Sequence, residues 1–202
     1  KRFSKELFLT AATVNPAEIG HMYLRSTAKL RDKSPFFVDK LPVNYLNIPL
    51  ILAALPKAKI VHLVRDPMDA CFASFKQLFA DAYLHSYDQC EMARHHARYR
   101  DLMAHFRQEF PGHIIDISYE AAARDLEPNA RKLIGALELP WEDACLNFHE
   151  STSGVATASS VQVREPAHTR SIGRWRRYET ELSPMINELT RLGVPLEGVP
   201  LD

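Results

Sequence analysis

The sequence predicts an α/β fold in which a parallel sheet is flanked by helices, and three observations point there. The stretches 36–40, 59–64 and 113–118 are nearly continuous apolar runs rather than alternating ones, the pattern of parallel strands covered on both faces. Helical periodicities separate these runs, so strand alternates with helix and the connections should be right-handed crossovers. The chain has 202 residues, 46% of them hydrophobic, enough for one domain with a sizeable core and too few to demand two. Residues 1–202 are therefore expected to form a single domain, with 1–35 as a helical lead-in.

In chain order, Asn15-Pro16 supplies an N-cap and a first-turn proline for a helix through about Arg31. Phe36 to Lys40 is expected to be the first buried strand. A helix from Val43 to Leu55 is ended by Pro56, and Lys59 to Val64 is the second strand. The helix after Pro67 carries Phe72, Phe75, Leu78 and Phe79 on one side. The longest helix starts near Asp88, with Met92, Tyr99, Met103, Phe106 and Phe110 at helical spacing. Pro111-Gly112 stops it, and His113 to Ser118 is the third strand. Pro128 to Leu139 and Trp141 to His149 read as helices, 151–170 as a long loop of small and hydroxylated residues, and Ser183 to Leu192 as a last helix before Gly193.

Lys plus Arg and Asp plus Glu both number 25, which argues against bulk attraction to nucleic acid or an anionic membrane. Cys71, Cys90 and Cys145 are widely spaced and form no Cys-x-x-Cys pair, as expected for spectator thiols in a reducing, cytoplasmic setting. No apolar run reaches the roughly 20 residues of a membrane span, and no signal-peptide pattern opens the chain.

In open parallel sheets ligands bind beyond the carboxyl ends of the strands. There the sequence places Lys40 after the first strand, Arg65-Asp66-Pro67 after the second and Tyr119-Glu120 after the third. Two cations and an aromatic ring at one rim suit a ligand with anionic groups and a flat base. Arg65 ends a strand while Pro67 and Asp69 begin a helix, whose first amides could hold an anion beside the guanidinium. The planar fork of Arg donates two parallel bonds to a phosphate. A helix-start salt bridge between Arg65 and Asp69 is the plainer alternative.

Strand, then Arg65-Asp66-Pro67-x-Asp69, then a helix with a serine two turns on resembles the 3′-phosphate-binding segment of sulfotransferases, in detail the bacterial tetratricopeptide-linked and tyrosylprotein branches. The family places its phosphate-binding serine eight residues after the arginine, where this chain has Ala73, with Ser74 one place later. Val38-Asp39-Lys40-Leu41-Pro42 resembles the family's strand-end lysine segment, and Ile117-Ser118-Tyr119-Glu120 the strand whose tyrosine meets adenine. Ser159 to Pro166, followed by Gly173-Arg174-Trp175, is similar to the loop that closes over the donor, here about 151–178. The similarity runs over roughly 36–192.

This resemblance implies a P-loop-NTPase-like three-layer fold and transfer of a sulfuryl group from 3′-phosphoadenosine 5′-phosphosulfate to a hydroxyl of a peptidyl tyrosine, a sugar or another small molecule. It implies Lys40 and Ser159 as catalytic, Arg65, Ser74, Tyr119 and Arg174 as donor contacts with Arg170 as a second candidate, and no metal. The family's Gly-x-Pro-Arg-Ser-Gly-Thr-like loop, its strand and its glutamate base have no counterpart here, so the sequence is expected to begin inside the domain and to lack parts needed for catalysis. An upstream helical-repeat domain would suit a peptide acceptor. The rivals are a P-loop-type nucleotide kinase, which should show a Gly-x-x-x-x-Gly-Lys-Ser/Thr loop, and a non-catalytic nucleotide-binding domain.

The bland alternatives are specific. Lys40 could be a solvated strand-end lysine, and Tyr119 a core aromatic bonded locally. Arg176 and Arg177 read as surface. His95-His96 and His105 make a poor metal set, because adjacent helical residues face apart. His62 reads as a satisfied core histidine, His168 as a residue within reach of the acceptor, and Trp175 as a packing anchor.

Overall fold

The computed structural model describes residues 4–32, 34–79, 82–150 and 164–198. The chain is mixed α/β, with a small parallel sheet flanked by helices. β1 (Ile60–Val64) pairs in parallel with β2 (Ile114–Ser118), in a register running from Ile60 opposite Ile114 to Val64 opposite Ser118. Between them lie α4 (Pro67–Phe75) and α5 (Gln89–Glu109). Before the sheet come α1 (Lys5–Ala11), α2 (Pro16–Thr27) and α3 (Ile48–Ala54). After it come α6 (Tyr119–Arg124), α7 (Leu126–Ala136) and α8 (Ser183–Arg191).

Local chemistry sets the boundaries. Asn15 Oδ1 accepts from Ala17 N at 3.0 Å with Pro16 in the first turn of α2, and Asp88 Oδ1 accepts from Glu91 N at 2.8 Å at the start of α5. These side chains satisfy helix-start amides that have no intrahelical partner. Gly112, at φ 76°, turns the chain out of α5 into β2. Gly20 lets α2 lie directly on α3, since a Cβ there would collide with the Ala54 carbonyl oxygen.

Three expectations are corrected. Residues 36–40 form no strand: Phe36 is 67% and Val38 91% exposed, and the run has no strand neighbour among the described residues to take its amides. Residues 141–149 hold two 3-10 turns, Asp143–Cys145 and Phe148–Glu150, instead of a helix. There Trp141 Nε1 donates to Asp143 Oδ1 at 2.9 Å, a local bond of the kind that competes with helix formation. β1 is covered on one face rather than two, since Val61 and Leu63 are exposed. Helix α6 was not anticipated; Ser118 starts it by accepting from Ala121 N at 3.1 Å.

Two apolar clusters share α5. Met92, Ala93 and Ala97 pack with Met68, Cys71 and Phe72 of α4, Met185 and Leu189 of α8, and Trp175. Further along, Met103 and Phe106 pack with Ile48, backed by Ile60 and Ile114 of the sheet. The first cluster presses the C-terminal segment against α4, and so fixes what faces the end of β1. No described helix is long and apolar enough to cross a membrane.

Candidate functional site

The end of β1 delivers Arg65 into contact with two remote segments. Its guanidinium carbon lies 4.6 Å from the centroid of the Tyr119 ring, a cation–π arrangement that suits the flat, weakly hydrated arginine head. Its Nη2 donates to the Ser171 carbonyl at 3.0 Å. The Nε is buried and has no hydrogen-bond partner among the described residues. A buried charged donor left unpaired is costly, so this atom marks a place where an anion would be stabilised.

Carboxylates hold the surrounding frame. Asp69, 2% exposed, accepts from Gly173 N at 2.6 Å, which fixes the residue immediately before Arg174 against α4. It is thus engaged with the loop and not in the helix-start pair with Arg65 that stood as the plainer alternative. Glu120 accepts from Asp66 N at 3.0 Å, and Asp66 Oδ1 accepts from Gly198 N at 2.9 Å. Oxygens of Asp66, Asp69 and Glu120 lie within 4.8 Å of one another, close enough to share a cation, yet each carboxylate already takes a backbone amide. A cavity of about 310 Å³ opens beside them at the carboxyl ends of both strands, lined by Val64, Ser118, Arg124 and Glu197 as well as Asp66 and Glu120.

Of the residues singled out in the sequence, the structure joins Arg65, Tyr119 and the loop leading to Arg174. Arg174 is exposed and opens a 3-10 turn, Arg174–Tyr178, anchored by Trp175 at 4% exposure. Lys40 is exposed on the extended segment after Pro35. Its neighbour Asp39 accepts from Tyr23 Oη at 2.7 Å, and no contact joins Lys40 to Arg65 among the described residues. Ser74 is half-buried on α4, with no hydrogen bond from its hydroxyl among the described residues. Ser159 lies outside the described residues. Arg170 pairs with Glu165 and His168 lies 3.6 Å from the same carboxylate. Arg176 donates to Glu197 at 2.6 Å.

Lys76, at the end of α4, was not foreseen. Burial, and then the positive charges of Arg174 and Arg65, lower its ammonium pKa from the usual lysine value, with Asp69 opposing. Asp69 and Glu120 were also missed as frame residues. Their signal is an acid in the first turn of a helix, which sequence alone reads as a dipole partner.

His62, His85, His95 and His96 are held by packing and local bonds. His62 bonds to Asp116 Oδ1 at 2.5 Å and to Tyr99 Oη on the covered face of the sheet. Arg107 donates to both Asp116 oxygens, at 2.7 and 2.8 Å. His95 stacks on His85 with centroids 3.6 Å apart, and His96 is buried.

The chain matches the family described as "Sulfotransferase family" over residues 5–143. An uncharacterized protein of Aquifex aeolicus (strain VF5) is 36% identical to it over 170 residues, covering 83% of this chain and 22% of that protein. The protein-tyrosine sulfotransferase of Drosophila melanogaster is 26% identical over 180 residues, covering 85% of this chain and 36% of that one. The chain thus spans 22% and 36% of the lengths of these two curated relatives.

Proposed function

Because the chain belongs to the sulfotransferase family, we propose that it holds 3′-phosphoadenosine 5′-phosphosulfate for transfer of its sulfuryl group to an acceptor hydroxyl. The observation that carries this reading is the Arg65 guanidinium, stacked on Tyr119, tied to the loop at Ser171 and presenting a buried Nε that has no hydrogen-bond partner among the described residues. A phosphate beside it would satisfy that donor through a charge-assisted bond. In this reading Arg65 and Arg174, with Ser74 on the same helix, hold the 3′-phosphate and set the register of the nucleotide, while Tyr119 borders the adenine. The bound donor supplies an activated sulfuryl group. Lys40 and Ser159 are assigned to negative charge developing on the leaving phosphate oxygen, the kind of electrostatic role that is usually largest in such transfers. The acceptor oxygen bonds to sulfur as the bond between sulfur and the donor's phosphate oxygen breaks, and the hydroxyl proton passes to a carboxylate base or to water. The relative named as a protein-tyrosine sulfotransferase makes a peptidyl tyrosine the first acceptor to try, ahead of sugars and small phenols.

The proposal extends to architecture and setting. Residues 1–202 are read as part of one P-loop-like, three-layer sulfotransferase domain with 151–178 closing over the donor. The free thiols of Cys71, Cys90 and Cys145 fit a reducing cytoplasm. Titration calorimetry with 3′,5′-adenosine diphosphate, ADP and 5′-AMP tests the reading. Tighter binding of the 3′-phosphorylated nucleotide is expected, and Arg65→Ala should weaken it by about ten- to a hundredfold, as charged hydrogen bonds worth 1.5–3 kcal/mol require, while changing 5′-AMP little. Equal affinity for all three nucleotides would defeat the reading.

A further inference from the structure

The stretch 36–40 has no strand beside it among the described residues, yet alternate residues of it are fastened to α2. Tyr23 Oη donates to Asp39 Oδ2 at 2.7 Å, and the Tyr23 ring stacks on that of Phe37 with centroids 6.4 Å apart. The guanidinium carbon of Arg31 lies 5.1 Å from the centroid of the same Phe37 ring, while its Nη2 donates back to the Leu24 carbonyl at 2.7 Å. Helix α2 is itself seated on α3 at Gly20, three residues before Tyr23. Ile48 of α3 is in turn buried with Met103 and Phe106 of α5. A line of contacts thus runs from the core through α3 and α2 to Asp39, the residue immediately before Lys40.

We infer that Tyr23 is a positioning residue for Lys40: by holding Phe37 and Asp39 against α2, it decides the face on which the ammonium is presented. In extended backbone successive side chains point to opposite faces. With 37 and 39 turned onto α2, residues 36, 38 and 40 are turned away from it, and the 67% exposure of Phe36 and 91% exposure of Val38 agree. A turn of the segment about its own axis would exchange the two sets, and no strand ladder among the described residues prevents it. The Tyr23 hydroxyl serves Lys40 in a second way. It engages one oxygen of Asp39, and Asn44 Nδ2 approaches the other at 3.4 Å, so the carboxylate beside the lysine is occupied elsewhere. Lys40, exposed, makes no ion pair among the described residues. Burial, then the hydrogen bond to Asp39 and its charge, push the Tyr23 phenol up to about 12, which keeps it a proton donor to the carboxylate at neutral pH. The inference rests on the assignment of Lys40 to the leaving phosphate oxygen given above.

Calorimetry on the full chain tests it, with 3′-phosphoadenosine 5′-phosphosulfate and with adenosine 3′-monophosphate, which has no 5′ group for Lys40 to meet. Tyr23→Phe keeps the ring on Phe37 and removes only the hydroxyl. It should weaken the phosphosulfate about three- to tenfold, the scale of one partly exposed charge-assisted bond, and leave adenosine 3′-monophosphate within about twofold of its starting affinity. Asp39→Ala should do the same, while Asp39→Asn, which keeps an oxygen for the phenol, should retain most of the affinity. The deciding measurement repeats Tyr23→Phe in a Lys40→Ala chain, where a residue acting through the lysine has nothing left to lose and the two losses do not add. If Tyr23→Phe costs nothing in the unaltered chain, costs the same in both backgrounds, or weakens both nucleotides alike, the inference is overturned while Lys40 keeps its assignment. If Lys40→Ala leaves phosphosulfate binding unchanged, the assignment of Lys40 falls and the inference with it. If the unaltered chain does not prefer the phosphosulfate to adenosine 3′-monophosphate, the donor-binding reading falls first and takes both with it.

Discussion

Asp69 offers one carboxylate oxygen to Gly173 N, while its Oδ1 is buried without a hydrogen-bond partner among the described residues. Asp69→Ala would leave the glycine amide unpaired and release the residue preceding Arg174, at a cost of about 1–3 kcal/mol for a hydrogen bond to a charged acceptor. The expected outcome is a lower melting temperature together with weaker binding of 3′,5′-adenosine diphosphate. Loss of binding with no change in melting temperature would show that Asp69 acts on the ligand and not on the frame. Gly20 is sensitive for a different reason. Gly20→Ala would force a methyl group onto the Ala54 carbonyl, and overpacking of this kind typically costs about 1–3 kcal/mol, readable as a fall in the denaturation midpoint.

At the scale of the element, the sheet carries its own pH dependence. Burial alone would raise the Asp116 pKa, but hydrogen bonds and charge from His62 and Arg107 outweigh it and hold the carboxyl below its usual range. Glu188 of α8 is lowered to about 2 by hydrogen bonds from Arg191 and Arg94. Carboxylates depressed in the folded state stabilise it above their unfolded pKa of about 4, and that contribution fades as pH falls through the folded values. Unfolding midpoints should therefore decline as the solution is acidified below about pH 4, and Asp116→Asn should flatten the decline; an unchanged acid limb would remove Asp116 from the account. The helix starts that sequence reading placed well are those with local punctuation, α2 after Asn15-Pro16, α5 after Asp88 and α4 after Pro67, whereas α4 ends at Phe75, short of the expected Leu78 and Phe79, and α2 at Thr27, short of Arg31. The run at 36–40 reads as a strand because apolarity announces burial without naming what does the burying. The contacts of Asp69 with Gly173 and Arg65 with Ser171 join positions 104 and 106 residues apart, and no local pattern encodes them. Arg65 and Tyr119 were legible because each directly follows a strand.

For the whole molecule, α5 joins two cores, and the one that reaches the candidate site depends on Trp175. Trp175→Ala, at a residue 4% exposed, should cost about 3–5 kcal/mol and abolish nucleotide binding even though no proposed contact residue is altered; calorimetry beside a thermal melt would record both, and retained affinity would show that the anchor is dispensable. The rim is completed only when residues 171–198 return to α4, where Gly198 reaches Asp66 across 132 residues of chain. Closing so long a loop delays the reward of its contacts, so this region should be among the last to become protected during refolding. A nucleotide bound there would act as a clasp on the returning segment, slowing exchange at residues it never touches. A protease cut within that segment would abolish binding while leaving Arg65 and Tyr119 covalently intact.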